Sequence, residues 1–221
     1  CNGVRGLFSI LSTSSDTTNN IINYVTIAQN GDALDFGDLT IGAYARKGNV
    51  ASPVRSCWAG GTATPVTSNV IDYVMISTTG NAADFGDLTR VGNQINGVSS
   101  RTRGVYATGY QGSSGGVHNT IDFVTIASLG NAADFGDVTT QRAGIQPMQN
   151  STRGVLAGGQ DHPASNSQEV IDYITMASTG NAVDFGDMDT VARNGSSACS
   201  PTRGIISRGN PSTNVIQYLT I

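Results

Sequence analysis

The tetrapeptide Asp-Phe-Gly-Asp occurs four times, at 35–38, 84–87, 134–137 and 184–187. An Asp-Phe-Gly aspartate can hold magnesium for phosphoryl transfer. That chemistry also needs a glycine-rich phosphate loop, a strand lysine and a catalytic-loop Asp with Asn. The chain has one lysine, Lys47, and no His-Arg-Asp, so the motif does not signal a phosphotransferase. Asp35, Asp84, Asp134 and Asp184 also suggest calcium, but a calcium site takes six to eight oxygens from closely spaced ligands. An Asp beside Gly and Asn more often accepts backbone hydrogen bonds in a turn. These four are therefore read as structural repeat positions, and no metal is expected.

The remaining reactive side chains are sparse. His118 and His162 are the only histidines, and acid–base work needs a positioned partner within hydrogen-bond reach. Gly115-Gly116 lacks the following lysine and helix of a phosphate loop. Cys1, Cys57 and Cys199 are too scattered for a disulfide framework or a metal cluster. Cys57 aligns with Val105, Val155 and Ile205, which predicts a buried apolar role, and Trp58 is assigned to packing. No catalytic residue and no cofactor is expected.

The elements that carry these residues repeat. An Arg-Gly or Arg-Ser pair stands at Arg5, Arg55, Arg103, Arg153 and Arg203. An apolar-x-aromatic triplet follows at 22–24, 71–73, 121–123, 171–173 and 216–218, and then comes Asp-Phe-Gly-Asp. The period is about 50 residues, dividing the chain into repeats 1–52, 53–100, 101–150, 151–200 and a partial repeat 201–221 of a single domain. Each unit reads as four strands, illustrated by 153–157, 170–176, 183–187 and a fourth near 195–199. The second strand is apolar on both alternating faces, as a propeller blade sandwiched between neighbours requires. The expected class is all-β, a β-propeller of four-stranded blades. Arg103 and Arg153 are expected to grip repeat Asp carboxylates through paired hydrogen bonds.

The residues resemble the kelch family. Gly60-Gly61 and Gly158-Gly159 match its glycine doublet, and Tyr73 and Tyr173 its tyrosine. Phe36, Phe85, Phe135 and Phe185 stand where kelch repeats carry Trp, and Arg46, Arg142 and Arg193 match its closing arginine. Asn93 lies near that arginine position in one unit, while Thr108-Gly109 and Arg208-Gly209 replace the doublet. The phrases Asn-Val-Ile-Asp-Tyr and Gly-Asn-Ala-Ala-Asp-Phe-Gly-Asp are also similar to repeats in tail-fibre and other virion proteins of marine bacteriophages. That likeness implies a virion or extracellular surface, and host attachment or particle assembly.

The fifth unit holds only two strands of its own. The expectation is a fragment of a longer repeat protein, or a chain that completes its ring with another copy or with neighbouring repeats. A net charge of −4 and the lack of a basic cluster argue against nucleic acid. No apolar run is long enough to span a membrane as a helix.

What varies between units is the loop from first to second strand: 12–20, 62–69, 110–119, 160–169 and 210–214. A constant frame with divergent loops is how repeat proteins build a recognition face. Tyr110, His118, Asp161 and His162 are the candidate ligand contacts. The expected function is a non-enzymatic binding module for a host-surface ligand, an envelope glycan or surface protein. The alternative is a purely structural repeat of a phage tail or capsid-associated protein.

Overall fold

A computed structural model describes residues 2–9, 19–45, 48–63, 66–112, 115–211 and 214–221. Every regular element among them is a β-strand. The first sheet holds β1 (Arg5–Ser9), β2 (Ile21–Thr26) and β3 (Leu34–Asp38). The second joins β4 (Gly48–Ala51) and β5 (Arg55–Ala59) to β8 (Val70–Met75) and β9 (Ala83–Asp87). A short hairpin, β6 (Thr62–Ala63) with β7 (Val66–Thr67), lies between β5 and β8. The third sheet is β10 (Asn96–Ser99), β11 (Arg103–Ala107), β12 (Thr120–Thr125) and β13 (Ala133–Asp137). The fourth is β14 (Gln146–Gln149), β15 (Arg153–Ala157), β16 (Gln168–Thr175) and β17 (Val183–Ala192), and the fifth β18 (Ser197–Cys199), β19 (Arg203–Ser207) and β20 (Ile216–Thr220). All pairings are antiparallel, and the protein is a five-bladed β-propeller.

The blades are offset by one strand from the repeats read in the sequence. The segment that closes each repeat pairs with the strand that opens the next, as Val50 opposite Cys57 and Val98 opposite Val105 show. The reason is local. Only three residues, Ser52 to Val54, separate β4 from β5, and the Ser52 hydroxyl accepts hydrogen bonds from the backbone N–H of Val54 and Arg55. Asn2, Ser100, Asn150 and Ser200 do the same for Arg5, Arg103, Arg153 and Arg203. A hairpin this tight forces its two arms together. Consequently, among the described residues, the first and last blades have three strands and the middle three have four.

Packing is between blades. Separate apolar clusters fill the four junctions; that between the second and third blades, for instance, joins Cys57, Ile71 and Phe85 to Tyr106, Val124 and Ile126. Cys57 is fully buried, and burial pushes its thiol pKa up to about 12. Trp58 is buried between the first two blades, as expected.

The conserved wording of the repeat serves the same junctions. The turn after each second strand donates Gly130 N–H to Phe85 O (2.9 Å) and Ala132 N–H to Asp87 O (2.7 Å), and Asp87 N–H donates to Asn131 Oδ1 (3.1 Å). This lays the Gly-Asn-Ala turn of one blade along the Asp-Phe-Gly-Asp strand of the preceding blade. Gly86 has φ +144°, and a Cβ there would lie 2.5 Å from Gly130 O. Its glycine is required by that close approach. Asp84 lies exposed and accepts its own turn's Gly86 N–H at 3.1 Å, and Asp184 does likewise with Gly186.

Candidate functional site

The strands run between two ends of the propeller. The tight hairpins lie at one end and the variable loops at the other, because β5, β11 and β15 start at the former and finish at the latter.

At the loop end, the four candidate residues fare differently. Tyr110 is fixed through its backbone, exchanging hydrogen bonds with Asn93 (3.1 and 2.9 Å). Its ring meets that of His162 from the next blade edge-on, with centroids 6.3 Å apart and planes at 82°. His162 is exposed and Tyr110 half-buried. Burial raises the Tyr110 pKa; nearby Arg193 opposes the shift and Asp161 adds to it.

Asp161 is engaged within its own loop, where its carboxylate accepts the Asn166 backbone N–H (2.6 Å) and side-chain amide (3.2 Å). His118 turns away to the carbonyl of Val91, 3.2 Å from its Nε2. Burial and the positive charge of Arg90 lower its pKa, and the Val91 hydrogen bond opposes them. The structure therefore brings Tyr110 and His162 together, and gives Asp161 and His118 local partners. Part of the first variable loop, 12–18, and Arg46 lie outside the described residues.

The opening arginines are not where charge pairing would put them. Among the described residues, Arg103 and Arg153 form no ion pair with a repeat aspartate; the ion pairs are Arg142–Asp172 and Arg208–Asp189. Instead, Arg5, Arg55, Arg103, Arg153 and Arg203 each lie over an aromatic ring of the adjacent strand, at 4.6–4.9 Å from the centroid. Such cation–π contacts contribute about 0.5–2 kcal/mol each. Arg5, Arg55 and Arg103 then donate to the carbonyls of Ile76, Ile126 and Met176 on the following blade, at 2.9–3.1 Å. The aspartates of Asp-Phe-Gly-Asp sit at the solvated outer edge, out of register with these guanidinium groups.

The carboxylates that matter inside are Asp72, Asp122 and Asp172, the residues before the second-strand aromatics, all fully buried. Each accepts a hydroxyl hydrogen bond from the threonine that follows Asp-Phe-Gly-Asp in the preceding blade: Thr40, Thr89 and Thr139. For the last two the distance is 2.6 Å. Arg142 adds a salt bridge to Asp172 at 2.9 Å, both side chains wholly buried. The sequence carried a signal for this site, since the threonine and the aspartate recur in step.

A cavity of about 700 Å³ lies at the hairpin end between three blades, lined by Ser52, Ser99, Ser100, Arg101, Asn150 and Ser151 among others. Among the described residues no three His, Cys, Asp or Glu side chains are grouped to hold a metal ion. Among the same residues no helix is long and apolar enough to cross a membrane. No protein-family model matches the chain, and no curated protein resembles it closely enough to count as a match.

Proposed function

We propose that the protein is a non-enzymatic recognition module that binds a surface glycan through its variable-loop end. The observation that supports this reading is the meeting of Tyr110 and His162, an aromatic pair built from loops of two adjacent blades at 6.3 Å. Aromatic faces with nearby polar groups suit a ligand that is apolar on one face and hydroxylated at its edges. Asn93, bonded to Tyr110 through the backbone, and Asp161, next to His162 in the chain and held by Asn166, stand beside that pair. The kelch-like and phage-virion likeness rests on the repeat residues, and it directs the reading to an envelope polysaccharide of a host cell.

The test is binding of the folded, labelled chain to a panel of bacterial envelope polysaccharides. Saturable binding to one class is expected, weakened about tenfold or more, roughly 1.4 kcal/mol, by Tyr110→Ala or His162→Ala. Arg101→Ala, at the hairpin-end cavity, should leave it unchanged. Absence of binding by folded protein, or loss only with Arg101→Ala, overturns the loop-end site.

A further inference from the structure

The hairpin-end cavity of about 700 Å³ is formed by the second, third and fourth blades, each of which packs against a neighbour on both sides. Its wall comes from their three tight hairpins and from the Met176-Ala177 turn. Hydrogen bonds tie the blades together along this wall. Ala51 N–H donates to Ser99 Oγ at 3.2 Å, and Ser99 N–H donates to Gln149 Oε1 at 2.9 Å. The wall is therefore held by three blades at once and is preformed.

That wall offers donors. Ser52 Oγ accepts Val54 and Arg55 N–H, Ser100 Oγ accepts Thr102 and Arg103 N–H, and Ser99 Oγ accepts Ala51 N–H and the Gln149 amide, all at 3.0–3.4 Å. With two bonds accepted, each hydroxyl has only its proton left to give. Arg101 and Arg103 add two positive charges, and no Asp or Glu among the described residues lines the cavity. Arg103 is held over the Phe123 ring and on Met176 O. Arg101 is exposed and, among the described residues, has no ion pair. In a chain of net charge −4 this is a local reversal of sign.

We propose that this cavity binds a small hydroxylated anion, a sugar acid or sugar phosphate, with its charged group on Arg101 and its hydroxyls on the serine protons. A guanidinium matches the oxygens of a carboxylate or a phosphate through paired hydrogen bonds. A concave wall of one sign concentrates its field on such a ligand, and the volume is that of a small-molecule site. Tyr110 and His162 stand at the other end of the strands, so this is a second site, independent of the glycan reading.

The test is titration calorimetry of the folded chain with glucuronate, a glucose phosphate and glucose. One-site binding of at least one anion is expected, without measurable binding of glucose, and the tighter anion tells a carboxylate ligand from a phosphate ligand. Arg101→Glu and Ser151→Asp, both at exposed positions and checked for folding by circular dichroism, should each weaken that binding about tenfold or more. Tyr110→Ala should leave it unchanged. Absence of binding of both anions by folded wild type overturns the site. So does glucose binding as tightly as the anions, an unchanged affinity in either charged variant, or loss with Tyr110→Ala, which would move the anion to the loop end.

Discussion

The third and fourth blades bury an aspartate at the same place and neutralise it by different routes. In both, the threonine of the preceding blade holds the carboxylate from two sides, with its hydroxyl at 2.6 Å and its backbone N–H at 3.2 Å. In the fourth blade the cation is Arg142, three residues beyond Thr139. It donates to Gly158 O, Thr140 O and Leu156 O at 2.8–3.0 Å while pairing with Asp172. In the third it is Arg90, directly after Thr89. That guanidinium reaches Thr108 O (3.2 Å) and Thr120 O (2.6 Å), but its Nε and one terminal nitrogen are buried with no hydrogen-bond partner. The position along the linker decides how the planar fork can turn, and so how many donors it can satisfy. One blade thus holds a saturated buried ion pair and its neighbour an under-satisfied arginine near, but not paired with, the buried aspartate.

Removing one partner breaks the comparison most sharply. Arg142→Ala or Asp172→Ala should cost about 3–5 kcal/mol in chemical denaturation, because each leaves a buried charge alone. Arg142→Met combined with Asp172→Leu should recover much of that loss. Arg90→Ala should cost less, about 1–3 kcal/mol, since two of its donors are already unpaired. A cost equal to that of Arg142→Ala would show that the two arginines carry the same load.

The threonine latch is common to both junctions, so Thr89→Val and Thr139→Val should cost similar amounts, about 1–2 kcal/mol each. Unequal values would place the difference in the latch instead of the arginine.

Acid titration separates the carboxylates. Burial raises the Asp122 pKa, against the opposing hydrogen bonds of Thr89 and the charge of Arg90. A raised folded value favours the protonated form in the fold. Its contribution to stability is therefore complete below the ordinary value of 3.8 and lost as pH rises through the folded value. Asp122→Asn cannot titrate, so its deficit against wild type should be largest below pH 3.8 and shrink at neutral pH. Thermal melts across that range would check it; a constant deficit would contradict it.

The smallest effect concerns the glycine doublet. Gly158 holds φ +61°, and Thr108 adopts φ +58° at the equivalent place. A left-handed conformation costs a side-chain-bearing residue about 1–2 kcal/mol, partly offset by the entropy of glycine in the unfolded chain. Thr108→Gly should raise stability by about 0.5–1 kcal/mol, read as a small rise in melting temperature. A fall would show that the threonine side chain contributes packing that outweighs the strain.

Much of this frame was legible in the sequence. The strand 153–157 is found with the bounds its residues suggested, and Phe36, Phe85 and Phe135 are buried as repeat aromatics should be. The candidate site was legible only in part. The loop that carries Tyr110 and the one that carries His162 stood out by their divergence, but that these two rings touch depends on the angle between blades. Asp161 looked available because its partner Asn166 lies in the same variable loop, where no pattern repeats. Arg103 and Arg153 lie over aromatic rings and not against the repeat aspartates, because spacing along the chain does not tell which strand edge a side chain overhangs.

By itself, the sequence determined the number of units, the strands, the burial of their two faces and the residues kept constant between them. Alternation with period two and turn chemistry act within a few residues, so they can be read locally. The tertiary structure decided which strand closes which blade and which carboxylate meets a guanidinium. Those outcomes depend on the stagger and rotation of one blade against the next. Arg142 pairs with Asp172, while Arg90, from a different place in the chain, acts on the equivalent Asp122 through its charge alone, and packing in space decides the difference.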